Sequence, residues 1–248
     1  MKVDIVRIRK MQQRASKRWE ERIFIVEGIK MYRELPKEQI VQTVLSDTFH
    51  RNHPEIEGDV ISDRDFEKIS DTKTPQGILA LARFYDHTEE ELLSGKDGLF
   101  ILLENLQDPG NAGTILRSAE AAGAAGVIFS SDSVDPYNSK VIRATMGSFF
   151  RVPFVVCDDL QAVIEKIRVH GGKTYAAHLA GAADYDTADY TALSAFVIGN
   201  ESKGLTDACA AACDERIRIP MLGKVESLNA AQAATILLFE AASQRRRA

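Results

Sequence analysis

Three apolar runs in the second half of the chain end in loops of similar make-up, each followed by a helical pattern: LLENLQDPGNAGTILRSAEAAG, FVIGNESKGL and RIPMLGKVESLNAAQA. The side chains there that can do chemistry are Asn111 and Arg117 in the first, Glu201 between Gly199 and Gly204 in the second, and Ser227 and Asn229 in the third. An arginine can hold a phosphate or stabilise a developing negative charge, or simply pair with a carboxylate. Glycines let a backbone approach a ligand closely, and a glutamate at a strand end can orient a hydroxyl or an arginine. Glu201 could equally sit near the positive end of a helix, and Ser227 or Asn229 could cap one by accepting its first free N–H groups. Gly110-Asn-Ala-Gly113 lacks the Gly-x-Gly-x-x-Gly spacing of a dinucleotide loop, and no Gly-Lys-Ser/Thr follows, so a phosphate loop is not indicated.

The elements that carry these residues read as an α/β alternation. From Gly98 the run LFILLENL, a helix over 112–122, the strand GVIFS, a helix over 159–169 and apolar strands at 173–177, 195–199 and 215–219 succeed one another. Short strands without polar alternation, interleaved with helices, predict a mostly parallel sheet with helices on both faces. Ligands of such sheets bind beyond the carboxyl ends of the strands, so the three loops converge on one edge. Upstream, strands at 23–28, 41–46 and 78–84 with helices at 29–35 and 63–69 make a small separate α/β unit. The acidic, Gly-containing stretch DHTEEELLSGKDG ends it, giving expected domains 1–92 and 93–248.

Composition narrows the classes. With 248 residues, 45% hydrophobic and 27% charged, the chain is an ordinary globular protein. No apolar run approaches the roughly 20 residues needed to cross a bilayer, and MKVDIVRIRKMQQ has no apolar core of a secretory signal. The expectation is a cytoplasmic protein with no membrane partner. Cys157, Cys209 and Cys213 form no Cys-x-x-Cys pair and read as reduced, buried thiols; His50 and His53 fall in a polar loop away from them. No metal is expected. The net charge of −5 hides an asymmetry: residues 1–33 hold ten Lys or Arg against four acids, a balance of +6 that leaves −11 on the rest. A basic arm, with Arg245-Arg246-Arg247 at the far end, suits phosphates, although a solvated charged helix and tail would look the same.

Together the three loops resemble the signature motifs of the SpoU (TrmH-type) RNA ribose 2′-O-methyltransferases of the SPOUT superfamily. Motif one matches Asn111-x-Gly113 with Arg117, motif two Gly199-x-Glu201-x-x-Gly204-Leu205, and motif three Ile219-Pro220-Met221 followed by Ser227-Leu228-Asn229. The segment VIRATMGSFFRVP is similar to the family's stretch between motifs one and two. IFIVEG and TPQGILALA are similar to its accessory amino-terminal RNA-binding domain, which resembles a ribosomal protein fold.

The resemblance implies a trefoil-knotted, generally homodimeric domain, S-adenosylmethionine as methyl donor and a ribose 2′-hydroxyl as acceptor. It places Gly199, Ile219, Met221 and Leu228 at the cofactor, where apolar side chains suit a flat purine but would also look like core. It assigns Arg117, Asn111, Glu201, Asn229 and Ser227 to the catalytic site, with Glu201 expected to anchor Arg117 or Asn229. Ribosomal RNA is the expected substrate and tRNA the alternative. A non-catalytic RNA-binding or ribosome-assembly factor of the same fold is the contrasting class, against which Arg117, Glu201 and Asn229 speak together.

Overall fold

The computed structural model describes residues 3–95, 97–179 and 183–248 and divides them into two compact units. The first comprises the chain up to Asp86 together with 135–150; the second holds 87–134 and 151–248. The contact pattern thus adds 135–150 to the amino-terminal unit, beyond the single boundary expected near residue 92.

In the first unit the basic arm is folded. Helix α1 (Ile5–Gln13), capped by Asp4, buries Ile8 and Met11, and α2 (Ala15–Glu21) ends at Arg22 in a left-handed conformation (φ 55°). Four of the arm's cations are spent internally. Arg7 pairs with Glu21 at 2.6 Å and Lys17 with Glu20 and Glu21 at 3.1 Å; Arg18, 4% exposed, meets Asp135 at 2.5 Å, and Arg22 meets Asp86. Arg9, Lys10 and Arg14 are exposed and carry no ion pair among the described residues. The arm is therefore a packed helical pair with about half its charge free, not a loose basic tail.

Behind it lies a mixed sheet in the order β1-β4-β2-β3, built from β1 (Ile23–Glu27), β2 (Ile40–Ser46), β3 (Asp59–Ile61) and β4 (Ile78–Arg83). The connecting helices are α3 (Ile29–Glu34), α4 (Asp47–Asn52) and α5 (Asp63–Ile69). His50 lies in α4 and His53 at its C-cap, so the expected histidine loop is a helix, started by the Ser46 side chain accepting from Phe49 N–H at 3.2 Å. The segment 135–150 joins this unit because Tyr137 and Phe149 sit among Trp19, Phe24, Phe84 and Tyr85, with Tyr137 stacked on Phe84 at 3.5 Å.

The second unit opens with α6 (Glu89–Leu93) and then builds a seven-stranded sheet in which every pairing is parallel. In chain order the strands are β5 (Leu99–Leu103), β6 (Gly126–Ser130), β7 (Phe154–Cys157), β8 (Lys173–Ala177), β9 (Ala183–Asp184), β10 (Ser194–Ile198) and β11 (Glu215–Arg218). The helices are α7 (Pro109–Ala121), α8 (Ser139–Ala144, which belongs with the first unit), α9 (Leu160–Val169), α10 (Asp207–Ala212) and α11 (Ala230–Arg245). The sheet order is β7-β6-β5-β10-β8-β11-β9.

Phe100, Leu102, Ile128, Ala195 and Val197 form one core layer with α9 and α10. Because successive side chains alternate across a strand, Ile101, Phe129 and Phe196 face the other way, where α7 and α11 pack. Both faces are thus covered, which is why the strands read as unbroken apolar runs. Cys157 and Cys209 are buried in the first layer and Cys213 packs against it; all three are free thiols, and burial pushes those of Cys157 and Cys213 up to about 12. Among the described residues no helix is long and apolar enough to cross a membrane.

Candidate functional site

The carboxyl ends of β8, β10 and β11 and the first turns of α11 enclose a cleft of about 270 Å3. Ile198, Ile217, Ile219, Leu228 and Leu237 give it apolar walls, and the whole loop Gly199–Leu205 borders it. That loop crosses itself tightly. Asn200 and Gly204 exchange backbone hydrogen bonds of 3.1 and 2.9 Å, and the Asn200 side chain accepts from Ser202 and Lys203 N–H. A Cβ on Gly199 would lie 2.2 Å from Gly204 C, so only glycine fits there; Gly204, at φ 70°, takes the left-handed turn.

Of the residues picked out in sequence, Gly199, Glu201, Ile219, Met221, Ser227 and Leu228 line the cleft. Asn229 caps α11: its Oδ1 accepts from Ala231 N–H at 2.9 Å and Gln232 N–H at 3.3 Å. Ser227 is exposed at the cleft and does not cap the helix, which settles the choice between the two. With its oxygen committed to α11, the Asn229 amide points its Nδ2 outward, donating to Asn111 Oδ1 at 2.9 Å. Asn111 in turn donates from Nδ2 to Glu201 Oε1 at 3.1 Å. Each amide orientation follows from its neighbour, since an ionised carboxylate only accepts.

Glu201 also accepts from the backbone N–H groups of Asp108 at 2.8 Å and Gln107 at 3.1 Å. Burial alone would raise its pKa; the bonds from Asn111 and from the Asp108 and Gln107 backbone outweigh it and hold the carboxyl below the usual range. The glutamate thus sits at the amino end of α7, whose own cap is Asp108, accepting from Asn111 N–H at 2.8 Å. This is the helix-end placement open to it from sequence, and the expected anchoring of Arg117 by Glu201 is not what the geometry gives. Among the described residues Glu201 reaches Asn229 through Asn111.

Arg117 stands nearly two turns farther along α7, on an exposed stripe with Gly110, Thr114 and Ala121. It has no hydrogen bond or ion pair among the described residues, so the expected pairing with a carboxylate is absent there. Neither Asn111 nor Arg117 lines the cleft of its own chain. Sequence reading passed over Glu104 and Thr206 and gave Asn200, in Gly199-Asn200-Glu201, no role of its own. Asn200 Nδ2 donates to the Asn105 carbonyl at 2.9 Å, and Glu104 holds Thr206. The Gly-Asn-x-x-x-Gly spacing could have suggested the Asn200 turn, whereas Glu104 and Thr206 lie 102 residues apart with no local signal.

An apolar cleft at the carboxyl edge of a parallel sheet, beside a polar chain joining three loops, suits a small ligand with a flat apolar part. Residues 98–239, more than half the sequence, match the SpoU rRNA methylase family. The chain belongs to that family. Residues 2–80 match the MRM3-like substrate binding domain. Among relatives, the chain is 32% identical over 221 residues, 87% of each sequence, to the 23S rRNA (guanosine(2553)-2′-O)-methyltransferase RlmP of Bacillus subtilis. It is similar to the crystal structure of the SpoU methyltransferase AviRb from Streptomyces viridochromogenes in complex with AdoMet: TM-score 0.88, 25% identity, 99% of each chain. A solved structure described by the 2-OH methylation of C/U34 on tRNA matches 61% of this SpoU-family chain and 99% of its own, with TM-score 0.55 and 27% identity.

Proposed function

We propose that the protein is an S-adenosylmethionine-dependent methyltransferase of RNA ribose 2′-hydroxyls, with ribosomal RNA as substrate. The observation that carries this reading is the Asn229–Asn111–Glu201 chain, which ties all three motif loops together beside the cleft. A purely binding fold has no need to lock three strand ends to one another beside a small-molecule cleft. The preference for ribosomal RNA rests on coverage. The relative named for 23S rRNA spans most of the chain, whereas the structure described by tRNA leaves more than a third of it unmatched.

The residues fit the cofactor. Ile198, Ile219 and Leu228 offer apolar surface to a purine, while the backbone of Gly199–Leu205 offers N–H and C=O groups at close range, with Met221 alongside. When bound, S-adenosylmethionine supplies an electrophilic methyl group on a sulfonium, which needs no metal to activate it. The chain's tasks are then to align the ribose and to manage its proton. Glu201, Asn111 and Asn229 fix the loops that border the acceptor; Ser227, exposed at the cleft, is placed to hydrogen-bond the ribose or its phosphate. Arg117, without a partner among the described residues, orients a substrate phosphate and stabilises the developing alkoxide. A guanidinium stays charged in proteins and is a poor base.

The same proposal takes in a homodimer, a trefoil knot in the carboxyl-terminal unit and a cytoplasmic location. The dimer is supported by the outer face of α11, where the large apolar Phe239 is 47% exposed, in line with the partly buried Ile236 and with Gln232. Methyl transfer from labelled S-adenosylmethionine to unmodified ribosomal RNA tests the activity. Arg117→Ala is expected to lower transfer at least 100-fold while leaving cofactor affinity within about threefold. Failure of the wild-type protein to bind S-adenosylmethionine or its demethylated product in calorimetry refutes the reading.

A further inference from the structure

The loop Gly199–Leu205 borders the cleft along its length, so whatever sets its span sets the shape of the cleft. One residue ties both of its ends. The Glu104 backbone N–H, at the end of β5, donates to the Ile198 carbonyl at 2.9 Å, just before the loop begins. Its carboxylate takes two hydrogen bonds from the residue that closes the loop: Thr206 N–H to Oε2 at 2.8 Å and Thr206 Oγ1–H to Oε1 at 2.6 Å. The Thr206 hydroxyl also accepts from Cys209 N–H at 3.1 Å and so caps α10, which fixes the direction of its proton toward Glu104. Glu104 itself does not line the cleft.

We infer that Glu104 is a positioning residue for the methyl-donor loop, acting through Thr206 to hold Gly199–Leu205 in the binding-competent shape. Eight residues separate Ile198 from Asp207, and the free end of such a loop samples many spans unless both ends are fixed. The other ties, Asn200 to the Asn105 carbonyl and Glu201 to Gln107 and Asp108, act on the first part of the loop and reach Gly204 through its backbone bonds to Asn200. At the other end, Leu205 leads directly into Thr206, where the Glu104 carboxylate takes both donors. A bidentate bond to an ionised acceptor is among the stronger ones available, and a pre-formed loop spares the ligand the ordering entropy.

The inference rests on the cofactor reading above, and its test separates the two. Binding of S-adenosylmethionine and of its demethylated product is measured by calorimetry for the wild-type protein, Thr206→Ser, Thr206→Ala and Glu104→Ala, with circular dichroism melts on each. Thr206→Ser keeps both donors and is expected to match wild type. Thr206→Ala keeps only the N–H and is expected to weaken binding a fewfold, and Glu104→Ala, which removes both acceptors, at least tenfold. In methyl transfer the KM for the cofactor should rise in the same order, while kcat at saturating cofactor stays within about threefold. If Glu104→Ala does not fold, the Thr206 pair carries the comparison. A folded Glu104→Ala, or failing that a folded Thr206→Ala, that binds with wild-type affinity overturns the inference. A wild-type protein that does not bind overturns the cofactor reading itself.

Discussion

Replacing Glu201 by glutamine probes the centre of the loop network with little change of shape. The carboxylate accepts three bonds, two on Oε1 from Asp108 N–H and Asn111 Nδ2 and one on Oε2 from Gln107 N–H. A glutamine that keeps its oxygen at the Oε1 place retains the first two as neutral bonds and turns an NH2 group toward Gln107 N–H. Charge-assisted bonds are worth about 1.5–3 kcal/mol and neutral ones about 0.5–1.5 kcal/mol. The site is solvated, so water replaces the lost partner and screens the charge, which places the net cost near 1–2 kcal/mol. For a chain of this size that is a fall in melting temperature of roughly 2–8 °C. The pH dependence follows from the direction of the shift. Because the folded carboxyl titrates below its ordinary value of 4.5, its contribution is present above that value and is lost as pH falls through the folded pKa. Circular dichroism melts of both proteins from pH 3 to pH 8 should therefore show a gap in melting temperature that is constant near neutrality and closes below about pH 4.5. A gap of the same size across the whole range, or a variant as stable as wild type at pH 7, would refute the argument.

The amide relay should show coupling. In a double-mutant cycle of Asn111→Ala and Asn229→Ala, read by thermal melts, the two losses are expected to be non-additive by about 0.5–1.5 kcal/mol, and strict additivity would mean that the 2.9 Å bond carries no energy. Arg245→Ala should lower the melting temperature by roughly 6–12 °C, about 3 kcal/mol, because its guanidinium serves the carbonyls of Tyr190, Asp97, Gly98 and Ala192 at once; a shift below 2 °C would mean the carbonyls are satisfied otherwise. Phe239→Asp should turn a dimer into a monomer in sedimentation, and a wild-type protein that sediments as a monomer at micromolar concentration removes the dimer proposal.

Elements with a strong period were legible, and those set by distant contacts were not. Helix α5 and strand β8 lie at the expected residues because an apolar run bounded by turn residues specifies them locally. Strand β7 (Phe154–Cys157) went unread. Only four residues long at the sheet edge, it is marked mainly by pairing with β6, from Val127 with Phe154 to Ser130 with Cys157. Strand β9, two residues long, has no sequence signature at all. The basic arm misled in a specific way: charge counting cannot see that Arg7, Lys17, Arg18 and Arg22 meet carboxylates, two of them, Asp86 and Asp135, far along the chain. At the site, residue types indicated the ends of the strands well. The partners of Glu201 were not legible, because backbone N–H groups at Gln107 and Asp108 leave no mark in a sequence.

Arginine shows how much of function lies in this unreadable part. Arg18, Arg117 and Arg245 look alike in sequence, each set in a helix among alanines, serines or other cations. Arg18 is buried against Asp135 and the Met11 carbonyl, and Arg245 is spent on four carbonyls, with burial lowering its pKa. Neither can turn to a substrate without giving up these bonds, four of them at Arg245 and, at Arg18, a buried one to Met11 with the pairing to Asp135. Arg117 has no such debt: exposed, on a thirteen-residue helix whose amino end is fixed by Asp108 and Glu201, it presents a guanidinium with all five donors free among the described residues. The bonds that commit Arg245 count against its part in a phosphate-binding tail, and the proposal for Arg117 draws on the lack of any such bonds among the described residues. Under the proposal, an incoming phosphate would meet at Arg117 a guanidinium unpaired among the described residues, and at Arg245 one already shared among four carbonyls.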